Sequence, residues 1–145
     1  MKLTQIIFLA GLMVTTSSLT AAPLISAKEA ALPAASGTLA TRGISRGPSV
    51  KMVSPEADTS VSSPIDFKVS FEARGEGKID PESVKVVYMK SPFVDLTPRL
   101  KGAISAQGIN FAKADVPPGM HTIRVTVKDN DGRETNSVFT LNVTK

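Results

Sequence analysis

The chain has 145 residues, with 17 lysines and arginines against 13 aspartates and glutamates, and a formal net charge of +4. It contains no cysteine, which excludes disulfides, a thiolate nucleophile, a cysteine-bound metal ion and lipidation at a signal-peptide cysteine. After residue 47 the chain carries 13 basic and 12 acidic residues, so the positive excess lies ahead of the part that we expect to fold. Because a nucleic-acid-binding domain carries its basic stripe on the fold itself, we expect no nucleic-acid partner.

The first segment, residues 1–22, has the pattern of a secretory signal peptide. Lys2 supplies the early positive charge, and an apolar stretch with small polar residues follows it. This stretch is shorter than the roughly 20 apolar residues of a transmembrane helix, and no later stretch approaches that length. Cleavage is predicted after Ala21 or after Ala27, because the proline that follows Ala22 makes it a poor final residue. We therefore expect a periplasmic or secreted protein without a membrane span after cleavage.

Residues 23–47 are predicted to form a flexible linker. They are rich in alanine, serine, glycine, threonine and proline, and they show no sustained hydrophobic period. The prolines and glycines interrupt any helix in this segment. The folded domain is therefore predicted to occupy residues 48–145.

The domain is predicted to consist of about seven short strands. Apolar residues alternate with polar ones over several segments, which places the apolar side chains on one face of a strand. In a helix the same residues would be spread around the whole circumference. The clearest segments are Ile65–Ala73, Val84–Met89, His121–Lys128 and Phe139–Val143. A tight turn at residues 130–132 joins the last two into a hairpin. Turn signals about every 8–12 residues, without a long helical pattern between them, indicate an all-β chain folded as a single antiparallel β-sandwich.

Two proline-containing segments are predicted to interrupt or weaken this pattern. Asp80–Ser83 has the sequence of a single helical turn, with Asp80 as its cap and Pro81 at its first position. Val94–Lys101 is predicted to be an edge strand, because Pro98 has no backbone N–H to donate to a ladder.

The C-terminal hairpin resembles that of a known family. The pattern Pro-Gly-x-His-Thr-Ile-x-Val-x-Val-x-Asp-x-x-Gly, at residues 118–132, is similar to the last hairpin of bacterial immunoglobulin-like domains. The segments VSPEADTSVSSPIDFKVSF and IDPESVKVVY resemble the first strands of the same domains. The resemblance covers about residues 48–145 and implies a bacterial immunoglobulin-like or fibronectin-III-like sandwich, without the paired cysteines and core tryptophan of antibody domains. Because this fold hosts adhesion, sugar-binding, chaperone and spacer roles alike, the resemblance specifies a fold and not an activity.

His121, the only histidine, is predicted to be a structural residue of the core. Its position has the same parity as Ile123 and Val125, so its ring is expected to face inward and to bond a nearby carbonyl. It would thereby replace the phenol of a tyrosine corner. No Gly-x-Ser-x-Gly or comparable motif supplies a nucleophile, and we therefore expect a non-catalytic protein without a cofactor.

Two metal-binding alternatives stay open. Methionine and histidine are residue types that copper prefers, but the candidates form no closely spaced motif; they are Met52, Met89, Met120 and His121. Calcium takes about six to eight oxygens, and the turn after the long C-terminal strand offers fewer; its candidate ligands are Asp129, Asp131 and Glu134. A plain hairpin turn explains the same residues, so no metal is expected.

A protein-binding face is the preferred functional prediction. If the third, sixth and seventh strands share a sheet, their outward side chains form an apolar centre with a polar rim, as interaction patches do. The residues of this face are Val87, Met89, Arg124, Thr126, Lys128 and Val138. Scattered surface apolar residues explain the same pattern equally well. The expected partner is an exported or cell-envelope protein; the alternative is a glycan stacked on Phe93, the ring expected to be exposed.

Overall fold

The computed structural model describes residues 21–37 and 46–145, and these form a mostly β structure. The strands are β1 (Ala22–Pro23), β2 (Ser49–Ser54), β3 (Ser60–Ser62), β4 (Ile65–Glu72), β5 (Ile79–Tyr88), β6 (Val94–Asp95), β7 (Ile104–Ser105), β8 (Gly108–Asp115), β9 (Gly119–Asp129) and β10 (Glu134–Thr144). The helices are α1 (Ala27–Ala30) and α2 (Thr97–Leu100), and a short 3-10 helix, Lys101–Ala103, follows α2.

The strands assemble into two sheets. The first has the order β1-β8-β4-β2, with β7 also paired to β8, and the second has the order β3-β10-β9-β5-β6. The prediction of an all-β chain is confirmed. The wholly antiparallel arrangement is wrong at two pairs, because β1 runs parallel to β8 and β3 runs parallel to β10. Both pairs involve strands of two or three residues, which are too short to show a period in the sequence.

The core lies between the two sheets and is filled by alternate residues of their long strands. In β4 the residues Ile65, Phe67 and Val69 are buried, while the residues between them are exposed or half-buried. In β9 the same alternation buries Ile123 and Val125. Side chains from both sheets belong to one apolar cluster. The period-2 pattern therefore forms strands here because each strand has one face on a shared core.

The N-terminal strap, residues 22–36, is part of this folded body. Leu24 is fully buried and Ile25 is 2% exposed, and both belong to the apolar core. Their backbone N–H groups both donate to the carbonyl oxygen of Asp115, at 3.0 and 3.3 Å, just beyond the parallel pairing of β1 with β8. Two apolar side chains and an edge strand thus fix the start of the strap to the first sheet.

The rest of the strap crosses to the second sheet. A capping box begins α1, with the Ser26 hydroxyl accepting from the Glu29 N–H and the Glu29 carboxylate accepting from the Ser26 N–H. The same carboxylate binds both terminal nitrogens of Arg99, which follows Pro98 in α2. Beyond α1, the Pro33 carbonyl accepts from the N–H of Ser91, after the end of β5. The strap therefore contacts both sheets.

These contacts correct the predicted linker. The described part of residues 23–47 is ordered against the sandwich, and the predicted domain start at residue 48 lies well inside the folded body. Two aliphatic side chains and a one-turn helix are too short to produce a hydrophobic period in the sequence. The composition of the segment is therefore the only signal, and it is typical of a linker. The predicted signal sequence, apart from residues 21 and 22, and residues 38–45 of the predicted linker lie outside the described residues.

The helical turn predicted at Asp80–Ser83 is wrong, because β5 runs through this segment with a bulge. The pairing of β5 with β9 shifts register between Asp80 and Lys85. The Asp80 side chain accepts from the Glu82 N–H at 3.0 Å, and the Ser83 hydroxyl accepts from the Lys128 N–H at 2.9 Å. Side-chain oxygens thus replace backbone partners where the ladder is interrupted.

The edge strand predicted at Val94–Lys101 is only partly present. Strand β6 ends at Asp95, and Pro98 lies in the first turn of α2, where a missing N–H costs no helical hydrogen bond. Leu96 and Leu100 are fully buried on either side of this turn. The apolar spacing therefore belongs to a short helix that packs on the core.

Candidate functional site

The outward side of β5, β9 and β10, here called the outer face, is the second sheet's surface away from the core. Its centre is a row of three side chains in register, because Val87 of β5 lies opposite Arg124 of β9, which lies opposite Val138 of β10. All three residues are half-buried. An arginine thus stands between two valines at the middle of the sheet.

Arg124 contacts an aromatic ring, and the described residues place no carboxylate within ion-pair distance of it. Its guanidinium carbon lies 5.6 Å from the centroid of the Phe93 ring, within the range of a cation–π contact. Among the described residues, no group accepts a hydrogen bond from its Nε, although that atom is buried. Phe93 is 57% exposed, so the pair presents an open apolar surface beside a charge.

The rim of the outer face is polar and largely paired. The Thr126 hydroxyl bonds the side chain of Asn136 on the neighbouring strand. The Lys128 ammonium lies 3.3 Å from the Glu134 carboxylate. The structure brings five of the six predicted residues onto strands of one sheet, with Met89 immediately after β5 and half-buried.

Sequence reasoning did not find that Phe93 belongs to this face. It identified the ring as exposed, but the contact with Arg124 joins residues far apart in the chain. This contact depends on how the segment after β5 turns back beside the sheet to form β6. The parity pattern of the strands contains no signal for it.

The structure places His121 in the core, 2% exposed, with both ring nitrogens bonded. Nε2 lies 2.7 Å from the Pro117 carbonyl oxygen, which can only accept, so Nε2 carries the proton. Nδ1 therefore accepts from the Tyr88 hydroxyl at 2.8 Å. Burial lowers the pKa of His121, and the positive charge of Lys90 lowers it further, although the bond to Pro117 raises it. The ring is held neutral and has no nitrogen free for a substrate or a metal.

The carboxylates at the β9–β10 turn bind Arg133. Asp129 is 3% exposed; its Oδ1 accepts from the N–H groups of Asp131 and Arg133, and its Oδ2 accepts from Arg133 Nε at 2.8 Å. Burial raises the pKa of Asp129, but the bonds and charge of Arg133 outweigh this and hold the pKa below its usual value. Asp131 binds the same guanidinium at 2.7 Å. This is a self-contained turn whose acids already have a cation.

The metal-ligand candidates are dispersed in the part of the chain that the structure describes. No group of three or more histidines, cysteines or acids there has the geometry to hold a metal ion. Glu134, the third calcium candidate, pairs with Lys128. Of the copper candidates, Met52 lies on β2 in the opposite sheet, and Met120 is a surface residue, 73% exposed.

A groove of about 680 Å³ lies away from the outer face, between the bulged end of β5, α2 and β7. Val84, Pro98 and Ile104 contribute apolar lining. The charged lining residues are Glu82, Asp95 and Lys101, two negative and one positive, and all three are exposed. We assign no function to this groove.

Within the described ranges, none of the helices is long and apolar enough to cross a membrane. In comparisons with known proteins, the chain matches no family model, and no curated protein is significantly similar to it.

Proposed function

We propose that this protein is an exported, non-catalytic immunoglobulin-like module that binds another protein of the cell envelope through the outer face. The strand order supports the immunoglobulin-like assignment. In such sandwiches one sheet contains the first, second and fifth strands and the other contains the third, sixth and seventh. The sheet core β2-β4-β8 corresponds to the first set and β5-β9-β10 to the second. Strand β1 takes the edge position beside β8 that the fourth strand occupies in that scheme.

The observation that carries the binding proposal is the Arg124–Phe93 pair in the middle of the outer face. Protein interfaces are enriched in aromatic and arginine residues at their centres, and these supply most of the binding free energy. Here the two residue types contact each other beside Val87 and Val138, and a polar rim surrounds them. A partner that covers the pair would remove the Phe93 ring from water and bring an acceptor to the guanidinium.

A non-catalytic role is consistent with how the histidine is used. Both ring nitrogens of His121 are bonded within the core, to Tyr88 and to the Pro117 carbonyl. A general base needs a ring nitrogen that reaches a substrate proton. The acids at the β9–β10 turn bind Arg133 in the same self-contained way.

The test uses site-specific photo-cross-linking in cells. A photoreactive phenylalanine analogue at Phe93 is expected to give an adduct with one envelope protein, which mass spectrometry identifies. The matched control places the analogue at Val53, which is 53% exposed but lies on β2 of the opposite sheet. The adduct should not form from Val53.

The cross-linked protein is then purified and titrated against wild type and against Arg124→Glu. Loss of a central arginine contact costs about 2 kcal/mol or more in well-packed interfaces, so affinity should fall at least about 30-fold. Lys51→Glu, on β2, is the control of equal charge change and should bind as wild type does. Identical adducts from both positions, or equal affinity of Arg124→Glu, would rule out the outer face as the binding site.

A further inference from the structure

We propose that a signal peptidase cuts this chain between Ala21 and Ala22, so that the mature protein begins with the N-terminal strap. The proposal rests on the proposed export, and it selects one of the two cleavage sites that the sequence leaves open. It assigns a proteolytic processing site and specifies which residues the folded body requires.

The cut cannot fall after Ala27 without removing part of the core. A chain that begins at Lys28 lacks Leu24 and Ile25, which are fully buried and 2% exposed. It also loses strand β1, the edge partner of β8, and the two N–H groups that donate to the Asp115 carbonyl. The core cluster would have a gap at the edge of the first sheet.

The same cut would also weaken what remains of the strap. Ser26 caps α1 through the reciprocal bonds with Glu29, and a chain that begins at Lys28 has no such cap. The Leu24 carbonyl accepts from Arg99 at 2.8 Å, and this acceptor would be lost from the neighbouring α2. The one-turn helix that carries Glu29 would then lack its cap and its first residue.

The boundary of the ordered strap coincides with the other candidate site. Strand β1 begins at Ala22, which pairs with Ala114, whereas Ala21 lies outside the strand. The residue immediately before the cut must be small, and Ala21 and Ala27 both meet this requirement. At the other position of the A-x-A pattern the two sites carry Leu19 and Ile25, so this pattern does not separate them and the fold decides. Pro23 disfavours a cut one residue later, while in the fold it lies on an edge strand, where proline is tolerated. Of the two candidate bonds, only the one between Ala21 and Ala22 can therefore be hydrolysed with every described contact of the strap kept.

The reaction is a simple hydrolysis. The peptidase's nucleophile attacks the Ala21 carbonyl carbon, the bond to the Ala22 nitrogen breaks, and that nitrogen takes up a proton. Water then releases the Ala21 carboxylate and regenerates the enzyme. No electron transfer and no further reactant is involved.

The first experiment measures the intact mass and N-terminal sequence of the protein from the periplasmic or secreted fraction. The expected sequence is Ala-Pro-Leu-Ile-Ser, starting at Ala22. Ala21→Tyr should accumulate as the uncut chain, because a bulky residue is not accepted next to the cut. The matched variant Ala27→Tyr places the same side chain at an exposed position of α1 and should be processed normally.

The outcomes separate this proposal from the proposed function. A mature chain beginning at Lys28 would overturn the cleavage site and leave export and the outer face untouched. An uncut chain that stays in the cytoplasm would overturn both. A second measurement compares purified chains that begin at Ala22 and at Lys28, of which the shorter should melt at a clearly lower temperature. Equal melting temperatures would show that residues 22–27 do not contribute to the stability of the fold, and the structural basis of the proposal would fail.

Discussion

The ion pair between the strap and α2 can be tested by the substitution Glu29→Gln. The Glu29 carboxylate accepts from both terminal nitrogens of Arg99, from Nη1 to Oε2 at 2.8 Å and from Nη2 to Oε1. The same Oε2 accepts from the Ser26 N–H at 2.9 Å. The glutamine is nearly isosteric, so the change removes the charge and replaces one acceptor oxygen by an NH2 donor without opening a cavity. The variant therefore tests the charged, two-point contact without a change in packing volume.

The size of the effect follows from the pKa of Glu29. The bond from Arg99 is the main cause that lowers it from 4.5 to about 2, with burial opposing the shift. A difference of about 2.5 pKa units corresponds to an upper limit of about 3 kcal/mol. Water screens the pair, because the side chains of Glu29 and Arg99 are 18% and 37% exposed, and we therefore expect a loss of about 1–2 kcal/mol at pH 7.

The pH dependence has a defined sign. Because the folded-state pKa of Glu29 is lowered, its contribution to stability is fully present above about pH 4.5 and is lost as the pH falls toward 2. Urea denaturation of wild type and Glu29→Gln at pH 7 and pH 3 measures this directly. By pH 3 about half or more of the difference between the two should have disappeared.

The matched control is Glu72→Gln, which removes an exposed ion pair with Lys51. The two groups are 3.6 Å apart, and their side chains are 72% and 68% exposed. Its effect should stay below about 0.5 kcal/mol at either pH. If Glu29→Gln behaves like this control, or if its deficit is the same at pH 7 and pH 3, the reasoning about the Glu29–Arg99 pair is refuted.

Three further substitutions test other parts of the fold. His121→Ala should lower the free energy of unfolding by about 1–3 kcal/mol at pH 7. Because burial lowers the pKa of His121, the wild type should also lose stability as the pH falls below about 6.5, and urea denaturation should find no such pH dependence in the variant. Gly108→Ala should lower the melting temperature severely, because its φ is +151° and a Cβ there would overlap a carbonyl oxygen of β4. The control Gly102→Ala, whose Cβ would meet no atom within 4 Å, should melt like wild type. Arg133→Ala should lower the melting temperature, because it leaves the buried carboxylate of Asp129 without its cation. Its stability should also depend less on pH below about pH 4, since Arg133 lowers the pKa of Asp129. An unchanged pH dependence would show that the pair does not lower that pKa.

The sequence predicts the long strands because their pattern is set by one local rule. In β4, β9 and β10 each strand has one face on the core, so buried and surface residues alternate and parity assigns every side chain. The same alternation places Val87, Arg124 and Val138 on the outward side of their strands, and residues paired across neighbouring strands project from the same face of the sheet. This part of the candidate face required no knowledge of loops.

The strap and the Arg124–Phe93 pair could not be predicted in this way. The strap is stabilised by single contacts between distant residues, such as Glu29 with Arg99 and Leu24 with the core, and neither residue lies in a periodic segment. Both segments in which the predicted element is wrong contain a proline whose effect depends on its structural context. At Pro81 the strand continues through a bulge, and at Pro98 a helix begins, since each context tolerates a missing N–H for a different reason.

The two parallel pairs have a consequence for how the chain reaches its fold. The pairing of Ala22 with Ala114 joins strands that are separated by most of the domain, and the pairing of Ser62 with Thr144 does the same in the other sheet. Strand β10 lies between β3 and β9, so a chain without it has two bare edges in the second sheet. Contacts of such high sequence separation slow folding, because the loop between them must close first. The domain therefore cannot complete its fold progressively from its N-terminus, because β1 and β3 have no partner until β8 and β10 are available.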